Sequence, residues 1–145
     1  MVRADVLRQR LDVLLDAISD LRRYREAVSR EQLSSDRDAQ HMVLHAMYVA
    51  TQSAIDIALH AAADAGEPAA QSYRDAFRYL GRAGLLEADL AERMAGWAGL
   101  RNVLAHYYAV VDYDLVYEAL QSDLAELEQF AVAAATWIEP ADSVG

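Results

Sequence analysis

Apolar residues recur at three- and four-residue steps through most of the chain. Leu7, Leu11, Leu14, Ile18, Leu21 and Val28 form the first stripe, with arginines and aspartates between them, and predict an amphipathic helix ending near Arg30. Ser34, Ser35 and Asp36 offer capping oxygens, so a second helix is expected from there to about Ala65, where Gly66 stops it. Pro68 suits the first turn of a short third helix striped by Tyr73, Phe77 and Leu80, with Gly81 and Gly84 as candidate stops. Leu90, Met94, Trp97 and Leu104 predict a fourth helix from near Glu87. Asp112 is the expected cap of a fifth, whose Val116, Leu120, Leu124, Leu127, Ala131 and Ile138 face inward until Pro140 ends it.

No segment alternates with period two for long enough to make a strand, and no internal repeat or linker interrupts the pattern. The expected fold class is therefore all-α, an up-and-down bundle of four long helices and one short helix, antiparallel because the connections are short. Residues 1–139 are expected to form a single domain, with 140–145 a frayed tail.

Composition agrees with a packed core: of 145 residues 54% are hydrophobic, only two are proline and none is cysteine. A thiol nucleophile, a cysteine-ligated metal and a disulfide scaffold are thereby excluded. The N-terminus lacks the apolar stretch of a signal peptide, and the longest apolar run, Phe130 to Ile138, is far short of a membrane span, so a soluble cytoplasmic protein is expected. A net charge of −10 argues at first against a nucleic-acid partner. Its distribution weakens that argument. All 13 basic residues are arginines that lie at or before Arg101, whereas the chain after Arg101 is purely acidic.

The stretch Arg101-Asn102-Val103-Leu104-Ala105-His106-Tyr107-Tyr108 carries the candidate chemistry. On a continuous helix Arg101 interrupts the stripe of Leu90, Met94, Trp97, Leu104 and Tyr108, and a guanidinium there needs a carboxylate, a phosphate or an opening. His106 falls about 140° around the helix from Arg101. They become neighbours if the helix loosens or a ligand bridges them. A plain reading has Arg101 and Asn102 pairing locally, His106 as an ordinary helix-end histidine and the tyrosines as core.

Arg101-Asn102 followed by Leu104-Ala105-His106 and then Tyr108 resembles the R-x4-H-x-Y signature of HEPN-domain ribonucleases, set before the last long helix as in that family. Ser53 to His60, Tyr73 to Leu80 and the Ala83-Gly84-Leu85-Leu86 turn are similar to its HepT-like branch, over roughly residues 35 to 130. The resemblance implies a toxin of a toxin–antitoxin pair: a homodimeric endoribonuclease that needs no metal or other cofactor and cleaves tRNA or mRNA. It also implies catalytic roles for Arg101 and His106, a supporting one for Asn102, and Tyr108 as the acceptor of AMP from an MntA-like nucleotidyltransferase antitoxin, with Tyr107 as the alternative acceptor. The chemistry suits these residue types, since histidine can move a proton near neutral pH and arginine matches phosphate oxygens in pairs. The competing implication is a non-catalytic HEPN module that works beside a nucleotidyltransferase.

Asp56 faces solvent on one reading and orients Arg101 or His106 across the bundle on the other, with Gln52 one turn earlier lining the same cleft. His41 and His45 have a metal-compatible spacing, but no H-E-x-x-H arrangement accompanies them. Arg22, Arg23, Arg25 and Arg30 are the densest basic group and the first patch to consider for RNA outside the cleft. The acidic fifth helix is expected to face solvent or a basic antitoxin surface.

Overall fold

The computed structural model describes residues 2–66, 71–106 and 111–143, and among them every regular element is a helix. These are α1 (Val2–Ala27), α2 (Arg30–Ser35), α3 (Arg37–Asp64), α4 (Tyr73–Arg82), α5 (Ala88–His106), α6 (Tyr113–Ser122) and α7 (Leu124–Ser143). The four long helices α1, α3, α5 and α7 make the bundle. α3 is its hub, touching α1, α2, α4, α5 and α7. By length and composition α3 would be apolar enough to cross a membrane, yet just over half of that apolar window is buried against its neighbours.

The first stripe is buried as expected: Leu7, Leu11, Leu14, Ile18, Leu21 and Val28 all lie in the core. Asp36 caps α3 by accepting a bond from the Asp38 amide (2.9 Å), and Asp112 caps α6 through the amides of Asp114 and Leu115 (3.0 and 3.2 Å). Gly66, at φ 105°, and Gly84, at φ 81°, end α3 and α4 in a conformation that side chains rarely adopt. Gly81 is not a stop. It lies inside α4, where a Cβ would stand 2.8 Å from that of Ala91, so its role is to let α4 and α5 pack closely.

Four boundaries differ from expectation, each for a local reason. Ser29 and Gln32 form a capping box that starts the extra helix α2 (Gln32 amide to Ser29 Oγ, 3.1 Å; Ser29 amide to Gln32 Oε1, 3.0 Å). The short third helix begins at Tyr73, capped by Ser72 Oγ on the Asp75 amide at 3.1 Å, and Pro68 lies outside the described residues. The expected fifth helix is two, α6 and α7, parted at Asp123, whose amide still donates to the Ala119 carbonyl (3.0 Å). Helix α7 also runs through Pro140 to Ser143, so the expected stop at Pro140 is not seen. Proline removes one donor, and so close to a helix end few later bonds depend on it.

Phe130 of α7 is fully buried in the core. Its ring meets Phe77 edge-on (centroids 5.6 Å apart, planes at 76°) and Trp137 likewise (5.9 Å, 82°).

The acidic C-terminal third does not simply face solvent. Glu128 pairs with Arg22, Asp114 and Glu118 with Arg30, and Glu126 with both Arg93 (3.1 Å) and the Trp97 indole N–H (3.0 Å). Arg23 and Arg25 pair with Asp20 and Glu26. Every member of the densest basic group thus has a carboxylate, which argues against that patch as an RNA surface.

Asp123, between α6 and α7, has its carboxyl pKa raised, chiefly by burial and then by the charge of Glu126, with Arg93 opposing. A raised folded pKa means that the contribution of Asp123 to stability is full below the unfolded value and is lost as pH rises through the folded one. At neutral pH the ionised group is therefore a net cost. Asp123→Asn will raise the melting temperature by about 1–2 °C at pH 7 and leave it unchanged near pH 3; an equal shift at both pH values would remove ionisation as the cause.

Candidate functional site

Helix α5 carries Arg101 to a junction with α3 and α4. The Arg101 Nε donates to Gln52 Oε1 at 2.8 Å, and Gln52 Nε2 in turn donates to Asp56 Oδ1 at 3.0 Å. The other Asp56 oxygen lies 3.6 Å from Arg10 Nε of α1. One polar line therefore crosses three helices, and it orients the Gln52 amide, since its oxygen must face the arginine and its nitrogen the carboxylate.

Two aromatic faces complete the setting. The Arg101 guanidinium carbon lies 5.6 Å from the centroid of the Tyr48 ring and 5.2 Å from that of Tyr73, both within cation–π range. Arg101 thus interrupts the apolar stripe without a direct carboxylate among the described residues. Of its five N–H donors only Nε has an acceptor among the described residues, leaving the fork of terminal nitrogens available to a phosphate.

The predicted site residues fare differently. Asp56 is linked to Arg101 through Gln52 rather than by contact. Asn102 is exposed on the following residue of α5. His106 is the last residue of that helix, so α5 does not loosen between Arg101 and His106. Tyr107 and Tyr108 lie outside the described residues. His41 and His45 are both exposed on α3, and no group of three metal-ligating side chains comes together among the described residues.

Sequence reasoning missed Tyr48 and counted Tyr73 as core. A signal was present: Tyr48, Gln52, Asp56 and His60 follow one another at four-residue steps, a polar row along the apolar α3.

Residues 14–134 match the family described as Ribonuclease HepT-like. The chain belongs to the HepT-like ribonuclease family. It is 27% identical over 124 residues to the mRNA nuclease HepT of Shewanella oneidensis, covering 82% of this chain and 93% of that protein. It is also 27% identical over 121 residues to the tRNA nuclease HepT of Aphanizomenon flos-aquae, covering 83% and 82%. Among solved structures, a tri-AMPylated HEPN toxin of Shewanella oneidensis in complex with MNT antitoxin superimposes with a TM-score of 0.79 at 26% identity, over 91% of this chain and 98% of that one. A toxin–antitoxin structure with AMP-PNP reaches 0.82 at 23% identity and covers 91% and 98%, a likeness of fold. Within the HepT-like family the R-x4-H-x-Y signature of this chain falls on the end of α5 and the residues just beyond it.

Proposed function

We propose that the protein is the toxin of a toxin–antitoxin pair, an endoribonuclease acting in the cytoplasm, with Arg101 and His106 as its catalytic residues. The observation that carries this is the Arg101 guanidinium, clasped by Gln52, Tyr48 and Tyr73 with its terminal fork without an acceptor among the described residues. A group held this way is pre-oriented for the charge that develops on a phosphate in the transition state. In the reaction the ribose 2′-oxygen loses its proton to a base and attacks phosphorus. The 5′-oxygen of the next nucleotide leaves and takes a proton from an acid, giving a 2′,3′-cyclic phosphate and a free 5′-hydroxyl.

One chain offers one motif histidine, so we propose a homodimer whose two motifs flank one cleft and divide the acid and base roles. Names of relatives support RNA as substrate, mRNA in one case and tRNA in another. The AMPylated relative bound to an antitoxin supports regulation by AMP transfer. Here the Tyr108 oxygen would lose its proton and bond to the α-phosphorus of ATP with loss of pyrophosphate, adding bulk and negative charge two residues along the chain from His106.

Purified protein shown by intact mass to carry no AMP will cleave total RNA in the presence of EDTA, and His106→Ala will not. Equal inactivity of the two would overturn the nuclease reading. Co-expression with the antitoxin will add mass in units of AMP, lost in Tyr108→Phe; added mass that persists in that variant assigns the acceptor elsewhere.

A further inference from the structure

Because α5 is unbroken from Ala88 to His106, the angular places of its residues follow from an advance of roughly 100° per residue. Arg101 turns toward α3, where it is clasped. Position 106 lies about 140° away and shares its face with Val103 and Gly99, three and seven residues earlier.

A second guanidinium lies on that face. Arg74, in the first turn of α4, rests on Gly99 so closely that a Cβ there would stand 3.1 Å from the Arg74 Cζ and closer still to a terminal nitrogen. Arg74 is exposed, and among the described residues no carboxylate pairs with it. Arg10, Arg22, Arg30, Arg78 and Arg93 each meet a carboxylate on another helix, whereas Arg74, like Arg82 and Arg101, does not among the described residues. Local helix physics does not favour a cation at position 74 either, since the first turn is the positive end of the helix dipole. Beside it an open, mainly apolar groove of about 400 Å³ runs over Gly99, Leu100, Val103 and Leu115. Arg93, Asp123 and Glu126 line the far side of the same groove, where Arg93 and Glu126 neutralise each other, so Arg74 is the cation there without a carboxylate among the described residues.

The geometry points to Arg74 as a phosphate-binding residue for the RNA strand, holding a phosphodiester next to the one cleaved while the groove over Gly99 and Val103 receives the attached nucleoside. Positions 99 and 106 are separated by about 10 Å along the helix axis. The site rests on the nuclease reading above, and it places a second cation of the same chain on the side of α5 that carries position 106.

The test uses the full chain with His106→Ala, so that RNA stays intact, titrated with a short fluorescein-labelled RNA of mixed sequence over a series of salt concentrations. Adding Arg74→Ala will raise Kd about tenfold and reduce the slope of log affinity against log salt by about 0.7, the signature of one lost single-strand phosphate contact. Gly99→Ala, whose Cβ displaces the guanidinium, will shift both in the same direction. Arg82→Ala, an exposed arginine at the far end of α4 that stacks on Tyr79, will change neither. Thermal unfolding of each variant separates these effects from loss of fold. In parallel, the chain with His106 intact is assayed on total RNA. Unchanged Kd and slope in Arg74→Ala, with RNA still cleaved by the wild type, overturn the Arg74 site alone; a wild type that neither binds nor cleaves RNA overturns the nuclease reading and the site together.

Discussion

Arg101→Ala will lower the rate of RNA cleavage by about 10²- to 10³-fold, the loss typical of removing one pre-oriented donor to a developing oxyanion. The fold will survive. Gln52 loses a hydrogen-bond partner, which costs on the order of 1 kcal/mol, but it is only part-buried and water can replace the guanidinium. Arg101→Lys keeps the charge and still loses much of the rate, about tenfold or more, because a lysine ammonium has neither the Nε bond to Gln52 nor the planar fork. Initial rates on RNA, read beside thermal unfolding, decide the matter. If Arg101→Ala retains more than about a tenth of the wild-type rate, Arg101 is not the charge-stabilising group.

Phe130→Ala will be the most damaging single change to stability. The ring is fully buried and meets Phe77 and Trp137 edge-on, so its removal leaves a cavity in the core that two rigid aromatic neighbours cannot collapse to fill. Such truncations cost about 3–5 kcal/mol, a large share of the roughly 5–15 kcal/mol that holds a domain folded. The urea midpoint should drop accordingly with an unchanged slope. A loss below about 1 kcal/mol would mean that the neighbours repack, and that the aromatic cluster is not the keystone of this end of the bundle.

Much of the bundle is legible in the chain because its strongest signals are local. The α1 stripe, the caps at Asp36 and Asp112 and the stop at Gly66 each depend on residues within a turn or two of one another. The break at Asp123 is different. Leu120, Leu124 and Leu127 keep helical spacing across it, and no glycine or proline announces it, so periodicity reads straight through. The capping box of Ser29 and Gln32 was written in the sequence but was overshadowed by Val28, which extends the α1 stripe into the turn. Of the candidate site the chain shows the residue types, and a link from Asp56 to Arg101 or His106 is one of two readings; the structure has that link to Arg101, through Gln52. What could not be read is which partners lie against Arg101. The two tyrosines and Gln52 are separated from it by between 28 and 53 positions and meet it only when α3, α4 and α5 pack.

Tyr73 and Arg74 are neighbours in the chain, yet they grip α5 on nearly opposite flanks, one at Arg101 and the other at Gly99. The register of α4 is pinned by the close approach of Gly81 to Ala91. A residue inserted between Gly81 and Tyr73 would rotate both side chains about 100° around α4 and carry them one step along it. Both grips would fail together. Length variation among descendants of this sequence should therefore collect in the turns flanking α4 and spare its ten residues, even where individual side chains on its outer face are free to drift.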